Sequence, residues 1–195
     1  MASNQLRIHI SGSGMHLNED MPYIQTIVRA VYENKGSVTR YWFEAIRTRH
    51  ELGISDEEAD WGVIHQENDD VITQSDLVIV ETTRDYFYQG YQAYVAAQRK
   101  KPTLVVTRSP IKGRFISGIT SKYITLKTYQ TEDELAAIVT KFIKANTIPT
   151  KDLRFNFIID RQIYRYLREK SYETGRNKSE IIREILKRKI SSGSI

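Results

Sequence analysis

The sequence predicts an α/β protein: a parallel sheet of about five strands with helices on both faces, followed by a small strand-helix-helix unit. Three observations lead there. Short apolar runs alternate with helix-period segments over the first 145 residues or so, the signature of strands joined by crossover helices. Sharp turn and cap signals mark two helices near the end of the chain. The charge is also divided: from Thr150 to Ile195, 12 Lys and Arg stand against 6 Asp and Glu, a net +6, while the preceding residues carry 17 against 18 and sum to −1.

In the first part, Leu6 to Ser11 reads as a strand, Asp20 to Asn34 as a helix and Gly36 to Tyr41 as a second strand. Asp76 to Thr82 contains Leu-Val-Ile-Val, a run apolar on both faces and therefore a buried strand. A helix from about Gly90 to Lys100 follows. Pro102 opens another strand, Thr103 to Thr107; Tyr123 to Thr128 is a fifth, and Glu132 to Ala145 a closing helix. The order is Rossmann-like (flavodoxin-like), which places any ligand in the crevice beyond the carboxyl ends of the strands. Three segments fall there: Ser11-Gly12-Ser13-Gly14, Thr82 to Gly90, and Arg108 to Ser117. The stretch Ala145 to Asp152, with Pro149, is the expected linker between domains at 1–148 and 150–195.

In the second part, Leu153, Phe155, Phe157 and Ile159 alternate with Arg154, Asn156 and Ile158, the period of a strand with one buried face. Asp160 is placed to cap a helix carrying Ile163, Tyr164 and Leu167, which Gly175 ends. Asn177 and Glu180 have the spacing of a capping box before Ile181, Ile182, Ile185 and Leu186. About 40 residues bury too little core to stand alone, so the unit is expected to pair with itself.

Composition narrows the function classes. With 40% hydrophobic residues the first part can bury a core. No apolar run approaches the roughly 20 residues of a membrane span, and the amino terminus lacks a signal-peptide pattern; the expectation is a cytoplasmic protein that does not contact a membrane. There is no cysteine, and the four His, at 9, 16, 50 and 65, show no ligand spacing. No metal and no cofactor are expected.

Leu153 to Ile190, and most specifically Gly175-Arg176-Asn177-Lys178-Ser179-Glu180-Ile181-Ile182-Arg183, resembles the ribbon-helix-helix family, in which two chains pair strands into a ribbon that enters the DNA major groove. The resemblance implies double-stranded DNA as partner. It makes Arg154, Asn156 and Ile158 the base readers, and Lys178 and Ser179 phosphate contacts at a helix start. The plainer alternative is a dimerisation clip with solvated charges.

Gly12-Ser13, Ile64-His65 through Ser75-Asp76, Gly90-Tyr91 and Gly113-Arg114-Phe115-Ile116-Ser117 are similar to the 2′-deoxynucleoside 5′-monophosphate N-glycosidases and nucleoside 2-deoxyribosyltransferases. The similarity spans most of residues 6 to 143 and is weakest between Trp42 and Val63. That family cleaves an N-glycosidic bond with a glutamate nucleophile after Gly-Tyr and an aspartate upstream of the third strand. Here Gln92 and Asn68 stand at those places, His9 replaces a tyrosine, and the arginine expected after Gly12-Ser13 is missing. An amide has neither an anionic oxygen to attack with nor a proton to exchange near neutral pH. The resemblance therefore implies a non-catalytic site, with degenerate positions Asn68, Gln92 and His9.

Binding can outlast chemistry. Trp42, Tyr86, Tyr88 and Tyr91 either offer stacking faces to a nucleotide-like molecule or fill the old pocket, with Gly12, Ser13, Thr82, Thr83, Gly90 and Ser117 as its other candidate contacts. Three readings remain open at this point. They are a DNA-binding regulator, homodimeric or tetrameric, with a degenerate nucleotide-hydrolase-like domain; an active N-glycosidase or deoxyribosyltransferase-like enzyme using substitute carboxylates such as Glu81, Asp69 or Asp85; and an antitoxin-like module that binds another protein.

Overall fold

The computed structural model describes residues 5–54, 60–84, 87–109, 121–147 and 158–192, His50 by its backbone alone. The chain divides into two compact units, the larger being Asn4–Ile148 and the smaller built on Pro149–Ile195.

Five parallel strands run through the larger unit: β1 (Arg7–Ser11), β2 (Ser37–Val38), β3 (Leu77–Glu81), β4 (Thr103–Thr107) and β5 (Ile124–Thr128), in the order β2-β1-β3-β4-β5. Ile8 pairs with Leu77 and Ile10 with Ile79, and Val80 pairs with Val105. Every residue of β3 and β4 is buried, as a strand covered on both faces requires. Between them run α1 (Leu17–Glu33), α2 (Trp42–Glu51), α3 (Trp61–Gln74), α4 (Phe87–Gln98) and α5 (Glu132–Asn146). Side chains alternate along each strand. Ile8, Ile10, Ile79, Leu104 and Val106 therefore meet Ile27 and Val31 of α1 and Leu135, Val139 and Phe142 of α5. On the opposite face Val78, Val80 and Val105 meet Ile72 of α3 and Ala93 and Ala96 of α4.

The α/β, Rossmann-like, five-stranded parallel sheet is thus as the sequence predicts, with three local differences. The first helix starts at Leu17 rather than Asp20, because the His16 carbonyl accepts from the Glu19 and Asp20 amides. Pro22 lies close enough to that start to cost one backbone bond only. The second strand is two residues long, since the chain beyond Thr39 turns into α2. Helices α2 and α3 have no counterpart in the sequence reading; their apolar residues are too sparse to show a clear period.

The smaller unit consists, among its described residues, of α6 (Arg161–Thr174) and α7 (Lys178–Ser191), packed against each other. The Asp160 side chain accepts from the Ile163 amide at 2.8 Å, and Gly175 takes the left-handed conformation with φ 66°. The Asn177 carbonyl oxygen accepts from the Glu180 amide while the Glu180 carboxylate accepts from the Asn177 amide, completing a capping box. Arg176 and Arg188 both pair with Glu184. The strand expected at Leu153 to Ile159 falls mostly outside the described residues; Ile158 and Ile159, which are described, lie in irregular backbone. A lone strand has no ladder partner within one chain.

Asp20 is a buried carboxylate held by ion pairs in the larger unit. Only 1% exposed, its carboxylate pairs with Arg108 and, at 3.4 Å, with Arg84, which also holds Glu19. Asp20→Ala is expected to cost about 2–4 kcal/mol, somewhat less than a fully buried pair because both guanidinium groups reach solvent. Urea unfolding followed by tryptophan fluorescence measures this, since Trp42 and Trp61 are the chain's two tryptophans and both lie in this unit. A loss below about 0.5 kcal/mol, the size of a surface substitution, would contradict a structural role for the cluster.

Candidate functional site

A parallel sheet of this order reverses direction between β1 and β3, and a crevice opens beyond the carboxyl ends of the strands there. In this chain the crevice is a cavity of about 450 Å³. Its floor is His9 and the Ser11-Gly12-Ser13-Gly14 turn after β1. Trp42, Ala45 and Ile46 of α2 form one wall; Ile64 and Asn68 of α3, with Tyr88, Gln89 and Gln92 of α4, form the other.

The turn is closely packed by α1 and α2. The Trp42 indole N–H donates to the Ile10 carbonyl at 2.7 Å, holding the ring against the end of β1. A Cβ on Gly12 would sit 2.9 Å from Ile24 and 3.3 Å from Trp42, and one on Gly14 would sit 2.6 Å from Ile46. Gly12 therefore has a packing reason to be glycine, whatever else it contacts.

Both amides are buried, and each is tied to the interior. Asn68 donates from Nδ2 to the Ile64 carbonyl at 2.8 Å and to the Tyr88 hydroxyl at 2.7 Å, and accepts at Oδ1 from Arg40 at 3.2 Å. Arg40 is ion-paired with Glu67, the carboxylate among the lining residues. Gln92 places Oε1 3.4 Å from His9 Nε2. With Oε1 facing it, Nε2 donates in the tautomer protonated there, and Nδ1 is then the acceptor nitrogen. Burial lowers the His9 pKa to about 4; the Gln92 bond opposes this and the nearby Arg40 charge adds to it.

Among the described residues, His9 Nδ1, Ser13 Oγ and Gln89 Oε1 are buried polar atoms of lining residues with no hydrogen-bond partner. Their residues are 0%, 3% and 4% exposed. Each such orphan costs about 1–3 kcal/mol.

A second polar cluster lies outside the cavity lining. Glu81 Oε1 accepts from the Thr83 hydroxyl and from Tyr129 Oη at 2.9 Å, and Arg108 donates to the Thr83 hydroxyl. Burial raises the Glu81 pKa above its ordinary value, against the lowering effect of the Thr83 and Tyr129 hydrogen bonds. It raises that of Tyr129 as well, reinforced by the adjacent carboxylate.

Of the residues singled out in the sequence, the cavity gathers His9, Gly12, Ser13, Trp42, Asn68, Tyr88 and Gln92. Thr82 and Thr83 lie off it, the first bonded to the Val106 carbonyl and the second engaged in the Glu81 cluster. Tyr91 stacks on Phe87 and Tyr88 and approaches His65, and Gly90 has open space around its Cα. Tyr86, Asp85 and Ser117 lie outside the described residues, as do Arg154 and Asn156. In the smaller unit Ile158 is fully exposed, Ser179 is exposed in the first turn of α7, and Lys178 Nζ sits 4.3 Å from the Tyr164 ring centroid. Sequence reasoning missed Arg40 and Gln89. Gln89 was within reach, since three residues before Gln92 on one helix means a shared face.

The larger unit has a five-stranded Rossmann-like α/β fold. In particular, the structure is similar to that of the CMP N-glycosidase BcmB of Clostridium botulinum, with a TM-score of 0.51 and 14% sequence identity, over 70% of this chain and 98% of that one. At that identity the likeness is one of fold. No protein-family model matches the chain, and no curated protein matches it in sequence. Among the described residues no three His, Asp or Glu side chains gather as metal ligands, and no helix is long and apolar enough to cross a membrane.

The folded-state pKa of His9 lies below the unfolded value of 6.5, so the unfolded chain binds the extra proton between these values. Stability is therefore full above about pH 6.5 and falls as pH drops toward about 4, by about 3 kcal/mol in all. Urea midpoints at pH 7.5 and 4.5 for wild type and His9→Phe measure the effect. The stability of wild type relative to the variant should drop by about 2–3 kcal/mol at pH 4.5, most of the full effect, and a pH-independent difference would contradict a neutral buried imidazole.

Proposed function

We propose that this chain is a dimeric, sequence-specific DNA-binding transcriptional regulator whose α/β domain holds a nucleotide-like ligand without cleaving it. The observation that carries the reading is the smaller unit's capped helix pair. The Asp160 cap, left-handed Gly175 and Asn177/Glu180 capping box frame a segment that holds all of the chain's excess positive charge. A localised basic module of this kind is an electrostatic footprint for phosphate.

Two further observations support it. Of the buried side chains in the smaller unit, Leu167 and Ile181 are the large hydrophobic ones, whereas Ile163, Tyr164, Tyr166, Ile185, Leu186 and Ile190 are between 44% and 60% exposed. A pair of helices with so small a core fits a unit completed by a second copy. In the larger unit, the amides at Asn68 and Gln92 favour binding over hydrolysis. Asn68 is a neutral group engaged by three partners, and Glu67 beside it is held by Arg40.

Fluorescence anisotropy of DNA from upstream of the chain's own gene, against a scrambled duplex at two salt concentrations, tests the reading. A preference of roughly a thousandfold or more is expected. Arg154→Ala should cost about 1–3 kcal/mol on the preferred site alone, whereas Lys178→Ala should weaken both duplexes alike and reduce the salt slope by about one. Equal, weak binding to both duplexes would remove the regulator reading. Release of free base from added nucleotides by the wild-type protein would replace it with an N-glycosidase.

A further inference from the structure

Glu81, the last residue of β3, shares a face of the sheet with Leu77 and Ile79. It is 1% exposed and lies against Tyr129, which belongs to the core beneath α1 and α5. Its two oxygens are served unequally. Oε1 accepts from the Thr83 amide at 3.2 Å, from the Thr83 hydroxyl, and from Tyr129 Oη at 2.9 Å. Oε2 is buried, with no hydrogen-bond partner among the described residues.

The neighbours fix where the hydrogens go. Thr83 Oγ1 accepts from the Arg108 amide at 2.9 Å and from Arg108 Nε at 3.2 Å, which occupies both of its lone pairs and sends its one hydrogen to Glu81. Burial keeps Tyr129 as the phenol, which donates. Of the charged groups on the elements around Glu81, Arg108 beyond β4 is bonded to Asp20 of α1 and lies 3.9 Å from the Tyr23 ring centroid. Arg84 beyond β3 is held by Glu19 and Asp20. In the first turn of α5, Glu132 accepts from the Thr26 hydroxyl at 2.8 Å and Glu134 from the Gln130 amide at 2.7 Å.

A carboxyl in this setting is pulled both ways. Three donors on Oε1 favour the anion. Removal from water and a bare Oε2 favour the neutral acid, whose proton Oε2 would carry. Burial is the larger effect and raises the Glu81 pKa above the ordinary carboxylate value. The cation that favours the charged form is Arg108, which Asp20 already holds. Ionising Glu81 therefore sets two buried carboxylates against each other for one guanidinium.

We propose that Glu81 is a proton-operated clasp at this edge of the sheet: as the neutral acid it is fastened by Thr83 and Tyr129 and leaves Arg108 to Asp20, and as the anion it competes with Asp20 for Arg108 and loosens the tie between α1 and the end of β4. The folded chain holds this proton more tightly than the unfolded one. The clasp thus contributes its full stability below about pH 4.5 and loses it as pH rises through the folded-state value, the opposite sense to His9.

Carbon-13 NMR of the full chain, labelled at the glutamate carboxyl carbons and titrated from acid to mildly alkaline pH, tests this. The resonance missing from Glu81→Gln identifies the group; should that variant not fold, it is the resonance that Tyr129→Phe moves. It should titrate at higher pH than the exposed glutamates. Tyr129→Phe removes a donor to the anion and should raise its midpoint further, whereas Asp20→Asn releases Arg108 and should lower it. Urea midpoints give the second readout, with wild type losing stability relative to Glu81→Gln as pH rises. A Glu81 resonance that titrates with or below the exposed glutamates, or a difference from Glu81→Gln that does not change with pH, would overturn the clasp. A midpoint that Asp20→Asn leaves in place would overturn the competition for Arg108. None of these outcomes bears on the regulator reading, which concerns the other unit and the other face of the sheet.

Discussion

Burial of β3 and β4 on both faces is the constraint from which the rest of the larger unit follows. Helices α1 and α5 cover one side and α3 and α4 the other, so polar side chains cannot be placed along the middle of the sheet without losing hydration. Apart from His9 in the middle of β1, most of them collect where the strands end. Ser11, Glu81, Thr82 and Thr107 are all buried polar residues at or just past a carboxyl terminus of a strand. Chemistry in this domain is confined to that edge by packing, before any particular residue is chosen.

Two buried polar centres share the edge, and they are finished to different degrees. Around Asp20 the charges are matched, two guanidinium groups to two carboxylates, and each bond closes a gap between elements: α1 to the end of β3 through Arg84, and α1 to the end of β4 through Arg108. That cluster braces the sheet edge and has little left to offer a ligand. Beyond β1 the balance is reversed. The Trp42 indole bond to Ile10 lays α2 over the glycine turn and builds a roof, and the groups beneath it stay short of partners. Leaving three polar atoms unpaired in a folded protein costs several kcal/mol in sum.

The sheet was legible because its signals are strong and redundant. Leu-Val-Ile-Val in β3 and Leu-Val-Val in β4 leave no other reading of their length and surroundings, and the caps at Asp160, Gly175 and Asn177 are each set by one residue's own geometry. The site was legible only where a side chain belongs to a strand end or to a recognisable turn, as with His9, Gly12 and Ser13. Helices α2 and α3 were not. Trp42, Phe43 and Ile46 bury themselves on a local patch, and α3 buries just Asn68 and Ile72, so neither helix shows the apolar stripe that periodicity needs. Arg40 and Ile46 stayed hidden for that reason. Thr82 and Thr83 were reasonable candidates at a strand end, but the buried carboxylate of Glu81 draws the Thr83 hydroxyl, a competition that no local pattern reveals.

The proposed combination of a ligand cavity with a DNA-binding pair of helices is physically meaningful only if the two are coupled. A ligand that fills the cavity equally well in free and DNA-bound protein would stabilise both and shift neither. Coupling requires that completing the contacts of His9, Ser13 and Gln89 change the free energy of the paired state, for instance by ordering a segment that pairing also orders. Such coupling is reciprocal. If the ligand raises affinity for DNA by some factor, DNA raises affinity for the ligand by the same factor. If the smaller unit pairs with a second copy as proposed, and Leu167 and Ile181 are the buried hydrophobic residues among its described ones, pairing and folding of that unit become one equilibrium at modest protein concentration. A ligand effect of only 1–3 kcal/mol, the usual size of such couplings, is then comparable with the stability of the paired unit itself, and would suffice to switch DNA binding without any large rearrangement of the sheet.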